Sequence, residues 1–197
     1  MYSRLSDYKG MVFHLKKIIE SKEFVVQDLC NYGYWRLFDK SWSQLDFYNY
    51  GKFLNDNLRK YPEEKIVDLS NGKNEKIKLG FLSSDLKGDH SVSFFLKTIL
   101  QNYNKNQFEI MIFNNHKENK ISEKITNLID KTVNIGKLNN LEAFNTIRKY
   151  NLDIMIDIMG YTSQNRIEFY KNRLAKKQVI WMGYCNTSGL SNVDYII

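Results

Sequence analysis

The sequence predicts an α/β protein in which an N-terminal helical segment precedes one Rossmann-like domain with a mostly parallel sheet. Three observations carry this. Residues Tyr2 to Tyr61 place apolar side chains three and four apart and hold a dense set of aromatics, whereas after Lys76 short apolar runs alternate with helix-spaced segments. In addition, the runs Ile154 to Met159 and Val179 to Met182 each stop at a glycine and hand over to hydroxyl-bearing residues. That is how an open α/β sheet builds a binding edge.

The helical segment reads from Met11, His14, Leu15, Ile18 and Ile19, and again from Phe47, Tyr50, Leu54 and Leu58, each set on one helical face. Between them Tyr32, Tyr34, Trp35, Phe38 and Trp42 predict a packed helical corner. The single proline, Pro62, and the polar stretch Asp68 to Lys76 around Gly72 mark the expected linker. The division is then residues 1–70, helical, and 76–197, the sheet domain.

Within the second part Ile77 to Ser83 reads as a strand, Ser91 to Gln101 as a helix and Phe108 to Phe113 as a strand. Ile121 to Ile129 follows as a helix, Thr132 to Ile135 as a short strand, Leu141 to Tyr150 as a helix and Leu152 to Met159 as a strand. This rhythm gives parallel strands with helices on both faces. The last apolar segment is Tyr195-Ile196-Ile197.

At 197 residues the chain can hold one good core, or one core plus a helical appendage. No apolar stretch approaches the roughly 18 residues that span a bilayer, and Met1 to Asp7 lacks a signal-peptide core. Cytoplasmic residence without a membrane partner is expected. Cys30 and Cys185 are far apart and lack metal-ligand spacing, so two reduced thiols and no metal are expected. The net charge of +7 is compatible with acidic ligands such as phosphates, but acidic residues are interleaved throughout and no nucleic-acid fingerprint accompanies the charge.

Chemistry concentrates at the strand ends. The first strand empties into Ser83-Ser84-Asp85-Leu86-Lys87-Gly88-Asp89-His90-Ser91, where a helix begins; backbone amides and the positive end of its dipole suit an anion or a sugar hydroxyl. Gly88 stands alone, so this is neither a dinucleotide fingerprint nor a P-loop. His90 is placed to act as a general base or a hydrogen-bond donor, or merely to cap the helix. His14 reads as packed and His116 as a solvated loop residue. Asp153 and Asp157 share a strand face, which suits either a cap or salt bridge to a helix or an acid–base pair, and Arg166, Arg173 and Glu168 read as an ion-pair network. Thr187-Ser188-Gly189 offers hydroxyls and amides to a ligand, or forms an ordinary polar turn.

Together these segments resemble the catalytic region of the O-linked N-acetylglucosamine transferases, the SPINDLY-like protein glycosyltransferases. Ile77 to Val92 is similar to the family's first strand and loop. Gly160-Tyr161-Thr162, Arg166, Glu168, Arg173, Ala175, Gln178, Trp181, Gly183, Tyr184, Thr187, Ser188 and Gly189 fall at the family's spacing, and Asp194-Tyr195-Ile196-Ile197 matches as well. Tyr2 to Tyr61 resembles, more weakly, the segment that joins tetratricopeptide repeats to the catalytic region. Departures are one extra residue between Asp85 and His90, Lys176 and Cys185 where prolines stand in relatives, and Asp153 where some have histidine.

The resemblance implies a glycosyltransferase B-type fold of two facing Rossmann-like domains, this chain holding the first. Its activity would be inverting, metal-independent transfer of N-acetylglucosamine from UDP-GlcNAc, or of a related sugar, to Ser or Thr of an acceptor protein, with no cofactor besides the donor substrate. His90 corresponds to the active-site histidine; Asp85, Ser91, Tyr161, Thr162, Thr187, Ser188 and Gly189 are the expected substrate contacts. The nucleotide-binding second domain is expected downstream, leaving these 197 residues inactive alone and aggregation-prone at Val193 to Ile197. The alternative is a non-catalytic protein-binding module derived from this fold.

Overall fold

The computed structural model describes residues 7–62, 76–88 and 90–197. Three helices come first: α1 (Tyr8–Ser21), α2 (Val26–Trp35) and α3 (Gln44–Asn57), with a 3-10 turn, Arg36–Phe38, after α2. Asp7 caps α1 by accepting from the Gly10 amide at 2.9 Å, and Lys22 ends it in the left-handed region. Ser43 opens α3 with a capping box: its amide donates to Asp46 at 2.7 Å, and the Asp46 amide donates to its hydroxyl at 3.3 Å. At the aromatic corner the Arg36 guanidinium lies over Tyr32 and Trp42, 5.1 and 4.6 Å from the ring centroids.

Among the described residues six strands follow: β1 (Ile77–Ser83), β2 (Phe108–Asn114), β3 (Lys131–Asn134), β4 (Leu152–Asp157), β5 (Ala175–Ile180) and β6 (Tyr195–Ile196). They alternate with α4 (Ser91–Asn102), α5 (Glu123–Thr126) and α6 (Asn140–Arg148). Every pairing is parallel and the order is β3-β2-β1-β4-β5-β6. The order reverses beside β1, so the turns after β1 and β4 flank the topological switch point. The Rossmann-like sheet expected from the rhythm of apolar runs is what the chain forms.

Each sheet face has its own core. Phe81, Ile110 and Ile112 pack under Leu96 and Leu100 of α4 and Ile125 of α5. On the other face Met111, Phe113 and Met155 pack with Ala143, Phe144 and Ile147 of α6, and this cluster continues into Leu29 and Cys30 of α2 and Leu54 of α3. Tyr61 stacks on Phe144, 5.1 Å between centroids. The helical segment thus shares a core with the sheet. The expected linker lies, apart from Lys76, outside the described residues.

Two elements differ from expectation. The helix expected over Ile121 to Ile129 shortens to α5, because Asp130 is pulled back to the sheet, accepting from the Ile110 amide at 2.8 Å and the Tyr103 hydroxyl at 3.1 Å. β5 begins at Ala175, ahead of the expected Val179. Its lysines are accommodated by carboxylates, Lys176 at 3.0 Å from Asp153 and Lys177 at 3.8 Å from Asp194. It ends at Ile180, since the Gly183 amide turns back to the Trp181 carbonyl at 2.8 Å and Met182 has φ of 67°.

Candidate functional site at the carboxyl edge of the sheet

The turn after β1 is open. Asp85 is half-buried: its amide donates to Ser83 Oγ at 3.0 Å, its carboxylate accepts from Ser84 Oγ at 3.1 Å, and its carbonyl accepts from Ser93 Oγ at 3.3 Å. His90 is the N-cap of α4, its Nδ1 accepting from the Val92 amide at 3.3 Å. His90 and Ser91 are both exposed, and a side chain added at Gly88 would meet nothing within 4 Å. Nε2 of His90 is therefore free to face a ligand while Nδ1 holds the helix start.

The turn after β2 was expected to leave His116 solvated; instead it is 7% exposed. Gly136 approaches so closely that a Cβ there would lie 2.2 Å from the His116 carbonyl oxygen. His116 Nδ1 accepts from the Glu118 amide at 3.2 Å, and Lys87 Nζ lies 3.2 Å from Nε2.

Arg166, Arg173 and Glu168 do not form the single ion-pair network expected. Arg166 gathers the loops after β2 and β3, donating to Asn115 Oδ1 at 2.9 Å, to Asn140 Oδ1, and to the carbonyls of Leu138 at 2.9 Å and Ile135 at 3.3 Å. Burial holds its guanidinium below the usual range. Glu168 accepts from Asn140 and from the Tyr61 hydroxyl at 3.4 Å. Arg173 forks onto Asp194 at 2.5 and 3.2 Å, and Asp194 also accepts from the Gln178 amide at 2.8 Å, which fastens the entry of β6 to β5. These hydrogen bonds and the guanidinium hold the Asp194 carboxyl below its ordinary range.

The turns after β4 and β5 are closed against each other. Gly160 has φ of 56°, and a Cβ there would lie 2.5 Å from that of Tyr184; one at Gly183 would lie 2.2 Å from the Met159 carbonyl carbon. Tyr161, 1% exposed, donates its hydroxyl to the Ser188 carbonyl at 2.9 Å, and its ring lies 4.1 Å from that of Tyr184. Thr162 is half-buried, its Oγ1 donating to the Met159 carbonyl at 2.7 Å. Ser188 is 2% exposed, with Oγ accepting from the Leu190 amide at 3.4 Å, and the Thr187 amide donates to Asn186 at 2.7 Å. Gly189, φ 61°, lies against Gly51 of α3, so the helical segment braces this loop.

Under these turns Asp157 is fully buried, its Oδ1 accepting from the Met159 amide at 2.7 Å and the Gly160 amide at 3.2 Å. Asp153 sits at the opposite end of β4, accepting from the Lys78 amide at 2.9 Å and pairing with Lys176. The two carboxylates are not an acid–base pair.

The structure thus joins Tyr161 directly to Ser188, and gathers Asp85, His90 and Ser91 at a separate turn. Thr187, Ser188 and Gly189 line an open groove of about 500 Å³ beside Tyr48 and Lys52 of α3. A second cleft, about 420 Å³, is lined by Gln27, Asn115, Lys117, Asn140 and Arg166. Sequence reading missed Asn115, Asn140 and Gly51, whose partners lie in other loops. Among the described residues no group of three or more His, Cys, Asp or Glu side chains could hold a metal ion.

A doubly wound parallel sheet whose polar turns collect at one edge defines a Rossmann-like domain. The chain belongs to glycosyl transferase family 41, whose model matches residues 54–197. It is 27% identical over 145 residues to a probable UDP-N-acetylglucosamine–peptide N-acetylglucosaminyltransferase SPINDLY of Solanum lycopersicum, covering 71% of this chain and 16% of that protein. It is 29% identical over 126 residues to the UDP-N-acetylglucosamine–peptide N-acetylglucosaminyltransferase of Caenorhabditis elegans, covering 62% of this chain and 11% of that one. A mutant of Thermobaculum terrenum O-GlcNAc transferase shares the fold, with a TM-score of 0.80 at 17% identity over 94% of this chain and 36% of that one. The chain therefore spans a minor part of the proteins it matches.

Proposed function

We propose that this chain forms the first Rossmann-like half of a protein O-linked N-acetylglucosamine transferase, an inverting enzyme that uses no metal. The observation that carries the reading is the exposed His90 at the open turn after β1, inside the stretch that matches the family. In the reaction the acceptor Ser or Thr oxygen attacks the anomeric carbon, the bond from that carbon to the phosphate oxygen breaks, and UDP leaves with the electron pair. One displacement inverts the centre. With Nδ1 accepting from the Val92 amide, the neutral ring carries its proton on Nε2, so His90 orients the reacting oxygens by donating from Nε2 and the hydroxyl proton leaves to the departing phosphate or to water. His90 takes that proton itself only when Nδ1 releases the amide and the ring changes tautomer. Asp85 and Ser91 border the same turn, and Thr162, Thr187 and Gly189 supply further polar contacts, with Tyr161 and Ser188 holding the wall behind them. No cofactor beyond the nucleotide sugar and residence in the cytoplasm belong to this reading.

The facing domain, which holds the nucleotide, comes from the remainder of such an enzyme; stabilising the departing diphosphate is a dominant part of catalysis, so the 197 residues alone are inactive. The test is transfer of labelled N-acetylglucosamine to an acceptor protein. No transfer is expected from this chain alone. Transfer is expected when it replaces the matching region of Thermobaculum terrenum O-GlcNAc transferase; a folded but silent chimera would sink the proposal.

A further inference from the structure

The loops after β1 and β2 are tied to each other at two points. The Asn115 amide donates to the Ser83 carbonyl at 2.7 Å, and the Ser122 amide donates to the Leu86 carbonyl at 2.8 Å. Lys87 therefore leaves a fixed backbone position and meets His116, whose own carbonyl is packed against Gly136. Lys87 Nζ and His116 Nε2 lie 3.2 Å apart.

That contact joins two donors. His116 Nδ1 accepts from the Glu118 amide at 3.2 Å, so this nitrogen carries no proton, the ring is neutral, and its proton sits on Nε2. A lysine ammonium likewise has three donors and no lone pair. His116 is 7% exposed, and among the described residues neither Nε2 nor Nζ has another hydrogen-bond or ion-pair partner. A buried donor left without an acceptor is costly. Glu118 senses the charge of Lys87 but does not fill the gap, because its carboxylate is exposed and paired with Lys120 at 2.5 Å.

We propose that Lys87 and His116 form an oxyanion subsite that takes a phosphoryl oxygen between Nζ and Nε2. One such oxygen satisfies both donors, and its charge offsets the ammonium. A doubly charged phosphoryl group is preferred to a carboxylate, because Lys87 and residues 116–124 hold four lysines against two glutamates. The subsite lies at the carboxyl edge of β1 and β2, next to the open space at Gly88. The inference goes beyond the transferase reading, which uses neither residue, and it is decided without any measurement of sugar transfer.

The test uses the 197-residue chain with nitrogen-15 histidine at about pH 8, where an ordinary imidazole is neutral, and inorganic phosphate, acetate and uridine diphosphate as probes. In the free chain His116 Nδ1 should resonate as the bare nitrogen and Nε2 as the protonated one. Added phosphate should shift the Nε2 resonance saturably, with acetate weaker. Lys87 is exposed, so Lys87→Met keeps the fold; it should weaken phosphate at least about tenfold, the effect of losing one charge-assisted hydrogen bond. Lys105→Met removes the same charge between α4 and β2, at the amino edge of the sheet, and should change binding by less than about twofold. Uridine diphosphate binding more tightly than phosphate through the same resonance assigns the subsite to a nucleotide; equal or weaker binding assigns it to a free phosphoryl group. A proton found on Nδ1 would mean that Nε2 accepts from Lys87 and needs no anion, which overturns the inference. The same holds for a phosphate shift that never saturates, for equal weakening by the two lysine variants, and for acetate binding as tightly as phosphate. The tautomer and the phosphate titration are read on the unaltered chain, so they decide the matter whatever the variants do.

Discussion

The turn after β1 and the paired turns after β4 and β5 occupy the same edge of one sheet, yet they are built in opposite ways. Around His90 there is space: Gly88 has no neighbour in reach and the imidazole is exposed. Around Tyr161 there is none, for Gly160, Gly183 and Gly189 each lie against backbone or Cβ atoms closer than a side chain would allow. A reactive side chain needs room to meet its partner, whereas the shape of a wall must not yield. The closed side also draws support from the helical segment, through Gly51 against Gly189 and through Gly33 of α2, where a Cβ would lie 3.1 Å from the Tyr161 ring. Substitutions on the closed side should therefore register in stability, and substitutions on the open side in chemistry.

Gly51→Ala gives the largest stability effect. In an isolated helix the change stabilises by about 1 kcal/mol through propensity. Here the new Cβ would lie 2.1 Å from the Ser188 carbonyl oxygen and 2.7 Å from Gly189 Cα, and both are backbone atoms. Overpacking of this kind costs up to about 3 kcal/mol, or more where backbone must shift, so the clash wins. Urea denaturation should show a net loss of about 2 kcal/mol or more. A more stable variant would mean that α3 does not brace the loop.

Tyr161→Phe comes next. The ring keeps its place against Tyr184, but the buried Ser188 carbonyl loses its donor. The cost is about 1 to 3 kcal/mol, the penalty for a stranded buried acceptor. A change within error of zero would show that the carbonyl finds another donor and that the two turns are not tied through this bond.

The difference between the two sides also explains what could be read from the residues. The strands were legible because parallel strands covered on both faces become short apolar runs, and the run from Ile154 to Met159 identifies itself without any partner. The helix over Ile121 to Ile129 is shorter than its periodicity predicts because its end is set by Asp130 bonding to Ile110 and Tyr103, which periodicity does not carry. At the site, His90 stands out by residue type and by its place at a helix start. Arg166 was visible but its partners were not, since Asn115, Leu138 and Asn140 come from loops that only the sheet order brings together. Gly51 looks in sequence like a weak helix position, and its meaning lies in a loop more than a hundred residues away. The sequence shows Asp157 as one of two carboxylates on a face; that the two lie at opposite ends of β4, one paired with Lys176 and one held by backbone amides, is a matter of packing.

His90→Ala gives the smallest stability effect and the sharpest test of the contrast. The substitution removes one exposed cap, a 3.3 Å hydrogen bond to the Val92 amide, and the Ser93 amide still reaches the residue-90 carbonyl at 2.9 Å. Loss of such a cap costs about 0.5 kcal/mol, at the low end for N-terminal caps because the helix start stays solvated. Chemistry should respond very differently: in the active chimera, transfer should fall by about a hundredfold or more, the range for losing a positioned acid–base or hydrogen-bonding group. His90→Asn separates the two roles, since its side chain can cap the helix but has no second ring nitrogen to present to the substrate. Restored stability with transfer still lost would place the function in Nε2, on the open side of the edge; restored transfer would reduce His90 to a cap and move the chemistry to the closed side.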